Sequence, residues 1–73
     1  MKTAGIIYLQ VAPESINDLN RIFEGYEHIA MVSTMDKVQG IVRLLGTPDT
    51  EPIMELIIQH LPFPAKKLPD YEE

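Results

Sequence analysis

The sequence contains no cysteine, which excludes disulfides, thiolate metal sites and redox chemistry through sulfur. Histidine is scarce, with only His28 and His60 to offer imidazole. No apolar stretch is long enough to cross a bilayer. Lys2 is followed by a short β-like run ending at Gln10, without the apolar core or small-residue cleavage site of a signal peptide. A cytoplasmic location is expected by default. Positive charge is also in deficit: six Lys and Arg stand against eleven Asp and Glu, a net charge of −5. From Pro62 onward Lys66 and Lys67 face Asp70, Glu72 and Glu73, so most of the negative charge lies on the preceding body. Such a body repels phosphate and argues against nucleic-acid binding, where affinity comes from Lys and Arg displacing counterions. Internal repeats and low-complexity segments are absent.

What is present is a short chain of 73 residues, enough for one small domain. A chain of this size buries only about 60% of the surface its unfolded form exposes. Small domains make up the deficit with disulfides, a structural metal or a partner subunit. With disulfides excluded and imidazole scarce, self-association is the cheapest route to more buried area.

The hydrophobic periods predict strand, helix, strand, strand, helix. Gly5 to Val11 reads as a strand with Ile7, Leu9 and Val11 on one face and Ile6, Tyr8 and Gln10 on the other. Pro13 to Glu24 reads as an amphipathic helix. Pro13 suits its first turn, and Ser15 with Asp18 offers a capping box if the helix starts later. Its buried stripe is Ile16, Leu19, Ile22, Phe23 and Tyr26, and Gly25 is expected to stop it in a left-handed conformation. His28 to Met35 and Gly40 to Leu45 read as strands joined by the turn Asp36-Lys37-Val38-Gln39. Taking those four residues as the loop pairs Met35 with Gly40 and Ser33 with Val42. Ile29, Met31, Val42 and Leu44 then face the helices, and Ala30, Val32, Thr34, Ile41, Arg43 and Leu45 face away. A one-residue slip would exchange the faces.

Thr50 to Leu61 reads as a second helix, with Asp49 or Thr50 as its N-cap and an unusually wide apolar arc. Pro62, Pro64 and Pro69 then break the chain, so Phe63 to Leu68 can form only a poor edge strand. Residues 1–61 are thus read as a single α+β domain and 62–73 as a proline-broken tail. The order is the split β-α-β arrangement of the ferredoxin-like fold, an antiparallel sheet with two helices on one face and a degenerate fourth strand.

Candidate chemistry is sparse. The layout sets His28 and His60 at opposite ends of the sheet, and a ten-residue helix spans about 15 Å, so no shared metal is expected. His60 suits a helix C-terminus. Gly46 to Thr50 precedes a helix N-terminus, but Asp49 and Glu51 stand at that same place and repel phosphate, and the segment lacks the glycines and lysine of a Walker loop. Glu24 with Glu27, and Glu51 with Glu55, read as exposed helical glutamates with no apolar niche to raise a pKa. Ser15 and Ser33 have no nearby base. Tyr8 stands where RNA-recognition motifs place a stacking aromatic, but the third strand offers Ile41, Arg43 and Leu45 in place of aromatics. Neither catalysis nor a cofactor is expected.

Glu24-Gly25-Tyr26-Glu27-His28-Ile29-Ala30, followed by Thr34, Gly40 and a hydrophobic strand, resembles a family of short bacterial proteins described as a domain of unknown function. The resemblance spans Tyr8 to about Leu61 and implies no activity and no site residue. The strand order is more loosely similar to ACT-type regulatory domains, which often bind amino acids between subunits. That similarity implies a ligand loop at Gln10, Ala12 and Pro13, although Ala12-Pro13 lacks the glycine that admits a ligand there.

The sequence thus points to a non-catalytic interaction or regulatory module that forms a homodimer. Small-ligand sensing at a subunit interface is the alternative, and RNA binding ranks lower. The expected self-association face is Ile6, Tyr8, Ala30, Val32, Ile41, Arg43 and Leu45. Without a fourth strand the first becomes an unprotected edge, so either the tail from Phe63 to Leu68, within one chain or exchanged between two, or the same strand of a second subunit is expected to cover it. At least partial contact by the tail is favoured, with Asp70 to Glu73 mobile beyond Pro69.

Overall fold

The computed structural model describes residues 5–71. Strand β1 (Ile6–Val11) leads through a 3-10 turn at Pro13–Ser15 into helix α1 (Ile16–Glu24). Strands β2 (Met31–Asp36) and β3 (Ile41–Leu45) form a hairpin, followed by helix α2 (Glu51–Gln59) and strand β4 (Ala65–Lys67). The sheet is antiparallel in the order β2-β3-β1-β4. This is an α+β, ferredoxin-like arrangement, with a fourth strand of three residues.

One core joins the layers. Ile7, Leu9 and Val11 of β1 and Val42 and Leu44 of β3 pack against Ile16, Leu19 and Phe23 of α1 and Met54 of α2. Both helices therefore cover the same sheet face. The alternation read for β1 and β3 holds. Gly46 carries the chain past α2 at close range, since a Cβ there would lie 2.6 Å from the Met54 sulfur and 2.7 Å from the Thr50 hydroxyl.

The hairpin departs from the expected register. Asp36 stays in the ladder opposite Ile41, and its Oδ1 accepts the N–H groups of Val38 (2.9 Å) and Gln39 (3.0 Å) to close the turn. Moving the closing pair from Met35–Gly40 to Asp36–Ile41 would by itself leave every side chain on its expected face. The inversion comes from a bulge: Thr34 pairs Val42 and Asp36 pairs Ile41, so Met35 is an extra residue without an opposite number. Beyond it Val32 pairs Leu44 and Met31 pairs Leu45. Ala30 and Val32, expected on the outer face, instead join the core side, Ala30 being only 3% exposed. Met31 and Ser33 take their places outside.

The helix ends also differ from expectation. Gly25 has φ −73°, not a left-handed value, and the chain turns on through Tyr26, whose carbonyl accepts the N–H groups of Ile29 and Ala30. Tyr26 thus leaves the helical stripe and is exposed. Neither Ser15 nor Thr50 caps its helix through its side chain. The Thr50 hydroxyl instead accepts the Thr47 N–H at 2.9 Å, so it braces the turn before α2. Glu51 accepts the Gly5 N–H at 2.7 Å, tying the entry of β1 to the start of α2.

Candidate functional site

The outer face of the sheet is built in cross-strand rows. Ile6 stands opposite Leu45, and Leu45 opposite Met31, giving an apolar row across β1, β3 and β2. Met31 is 66% exposed and Leu45 41%. The next row is Tyr8, Arg43 and Ser33, and the third is Lys66, Gln10, Ile41 and Asp36. Five of the seven residues expected to form the association face, Ile6, Tyr8, Ile41, Arg43 and Leu45, therefore share it. Ala30 and Val32 do not, for the reason given by the Met35 bulge. Ile41 lies on this face yet is only 6% exposed, so it belongs more to the fold than to any contact surface.

Tyr71 was not anticipated. Expected to be mobile, it instead folds back so that its ring lies 4.9 Å from that of Tyr8, tilted by 41°. The Leu68 N–H donates to the Tyr8 carbonyl at 2.8 Å, and the Tyr71 N–H to the Leu68 carbonyl at 3.2 Å. The ring on which a nucleobase would stack is thus already packed by the chain's own tyrosine. A Pro-bounded segment ending in a single aromatic was the available signal. Residues 72 and 73 lie outside the described residues.

Gln10, Ala12 and Pro13 form the junction between β1 and the 3-10 turn, with Ala12 and Pro13 exposed. The Gln10 side-chain amide donates to the Gln39 carbonyl at 3.1 Å, and the Val11 N–H to the Gly40 carbonyl at 2.9 Å. The close approach to this junction is made by Gly40 of the same chain, not by a ligand. The His60 Nδ1–H donates to the Leu56 carbonyl at 2.8 Å, closing the end of α2. Among the described residues no group of three or more His, Asp or Glu side chains is placed to hold a metal ion. No helix among them is long and apolar enough to cross a membrane.

Fold and face together define a small ferredoxin-like α+β domain whose outer sheet surface combines an apolar row with a tyrosine pair. The chain belongs to the family described as domain of unknown function DUF4911, whose model matches residues 9–64. The match ends before β4 and Tyr71. No curated protein matches the chain, and no solved structure does.

Proposed function

We propose that the protein is a non-catalytic, cytoplasmic interaction module that acts as a homodimer through the outer face of its sheet. The observation that carries this reading is the apolar row Ile6–Leu45–Met31, with Met31 and Leu45 open to solvent although both are apolar strand residues. Each large side chain buried by a partner there contributes roughly 1.5–3 kcal/mol before the cost of association. The small size of the chain adds a motive, because a second subunit enlarges a core that cysteine cannot staple.

The mass in solution tests it. At micromolar concentration the protein is expected at twice the single-chain mass of 8.3 kDa. Changing Met31→Asp together with Leu45→Asp should yield a folded monomer, since neither side chain belongs to the core. Ile41→Asp is unsuitable, because burial of Ile41 would confound association with unfolding. A single-chain mass for the unmodified protein would overturn the reading.

A further inference from the structure

The two edges of the sheet are treated in opposite ways. The β4 edge is blunted by three of the usual devices: it has three residues, two of them Lys66 and Lys67, and Pro64 and Pro69 stand on either side. The β2 edge has neither proline nor charge from Met31 to Met35, and its one irregularity is the bulge at Met35, beyond the stretch Met31 to Thr34. Among the described residues strand β2 pairs only with β3, so its other side presents backbone groups that no described strand pairs.

Beside that edge lies a groove. Helix α1 covers β2 incompletely, and the helix-side residues of β2 open progressively along the strand. Ala30, just before the strand, is buried, Val32 half-buried and Thr34 exposed. The open groove between them has a volume of about 620 Å³ and is lined by Asn20, Phe23, Glu24 and Glu27 on the helix side and by Met31, Val32 and Thr34 on the strand side. Phe23 and Val32 give it an apolar floor. Its charged lining is acidic only, and neither Glu24 nor Glu27 forms an ion pair among the described residues.

We propose that this groove takes an extended polypeptide segment carrying lysine or arginine, added as a fifth strand along β2. The backbone ladder would supply register, and the alternate side chains facing the groove would include both apolar ones, which meet Phe23 and Val32, and basic ones, which meet Glu24 and Glu27. The charge selects the occupant. Two copies of this chain joined edge to edge through β2 would set α1 beside α1 and place like-charged glutamates near one another, whereas a basic segment complements them. The groove meets the outer sheet face only at Met31 and is otherwise built from the helix-side residues, so the inference stands whether the protein is a dimer or a monomer.

The probe is a fluorescent eight-residue peptide of repeating Val-Ser-Lys-Ser, which sets valine and lysine on the same face of a strand, titrated into the full chain, with a Val-Ser-Glu-Ser peptide as its glutamate counterpart. Binding of the lysine peptide is expected to shift and protect backbone amides within Met31 to Met35, read by NMR and hydrogen exchange. N-methylating alternate peptide amides should weaken it by about tenfold or more, because the ladder is then broken. Glu24→Lys with Glu27→Lys, both exposed positions, should weaken the lysine peptide by a similar factor and favour the glutamate peptide. Absence of binding overturns the inference. So does binding that survives N-methylation or perturbs amides away from β2, which would mark mere attraction between a cationic peptide and an acidic surface. The mass measurement above is read independently, so failure of one leaves the other standing.

Discussion

Gly40→Ala is expected to destabilise the protein severely. Gly40 has φ +76°, and a Cβ built there lies 1.8 Å from the Val11 carbonyl oxygen and 3.0 Å from its carbon. The left-handed conformation alone costs a residue with a side chain about 1–2 kcal/mol. The collision adds to this and no rotamer change relieves it, because the obstructing atoms are backbone of the central strand β1. Moving them disturbs the hydrogen bond from Val11 N–H to the Gly40 carbonyl and the ladder beyond it. A combined loss of roughly 3 kcal/mol or more would consume much of a small domain's stability of about 5–15 kcal/mol. The midpoint of thermal unfolding should fall by more than about 12 °C. Gly25→Ala is the control: φ is negative there, and the added Cβ would meet only the Ile22 carbonyl oxygen at 3.5 Å, an ordinary contact. It should leave the midpoint unchanged or raise it slightly. Equal losses at both positions would refute the argument.

Deleting residues 63–73 should expose β1 and unsettle the whole sheet. The deletion removes the pairing of Leu9, Gln10 and Val11 with Lys67, Lys66 and Ala65, and the bond from Leu68 N–H to the Tyr8 carbonyl. Phe63 and Ala65 also leave the margin of the core, and Tyr71 leaves Tyr8. The lost ladder and apolar contacts together are worth about 3–6 kcal/mol. Hydrogen exchange should accelerate at the β1 amides that face β4, and the uncovered strand, with no proline or charge from Ile6 to Val11, should promote aggregation. Lys67→Ala separates the contributions. The Lys67–Glu55 contact is 2.8 Å but its side chains are 53% and 37% exposed, so its loss should cost no more than about 1 kcal/mol. Persistently slow exchange along that edge after deletion would assign its protection to something other than the tail.

Much of this architecture was legible in the sequence because burial leaves a period. Ile7, Leu9 and Val11 alternate cleanly, as do Val42 and Leu44, and Ile16, Leu19 and Phe23 recur at helical spacing. The cover over β1 was legible too, from the defenceless composition of that strand. Strand β2 was not, because Met31-Val32-Ser33-Thr34-Met35 has apolar residues on both faces and no period strong enough to fix a register. A single bulged methionine then decided which residues meet the core. Gly25 was misread for a related reason: glycine permits a left-handed turn but does not require one, whereas the same residue type at Gly40 is forced by a neighbouring carbonyl. Among the candidate sites, five members of the outer face followed from the alternation of β1 and β3. Tyr71 did not, since a ring contact across a proline-broken segment leaves no periodic trace. The groove beside β2 arises from how far α1 falls short of Thr34, which depends on packing distances that no pattern of residue types encodes.

The order of strands in the sheet has a consequence for how the chain is made. Strand β1 leaves the ribosome first but lies in the sheet between β3 and β4, the last two strands to be synthesised. Neither side of it can be satisfied locally. At translation rates of about 5–20 residues per second, β4 follows β1 by roughly 3–10 s. Until β3 is made the most β-prone segment of the molecule waits without a neighbour, and until β4 follows one of its edges stays open. Such a chain gains its structure late and nearly all at once. A pause or premature stop just upstream of Ala65 would therefore release a nascent product whose first strand is its most adhesive part.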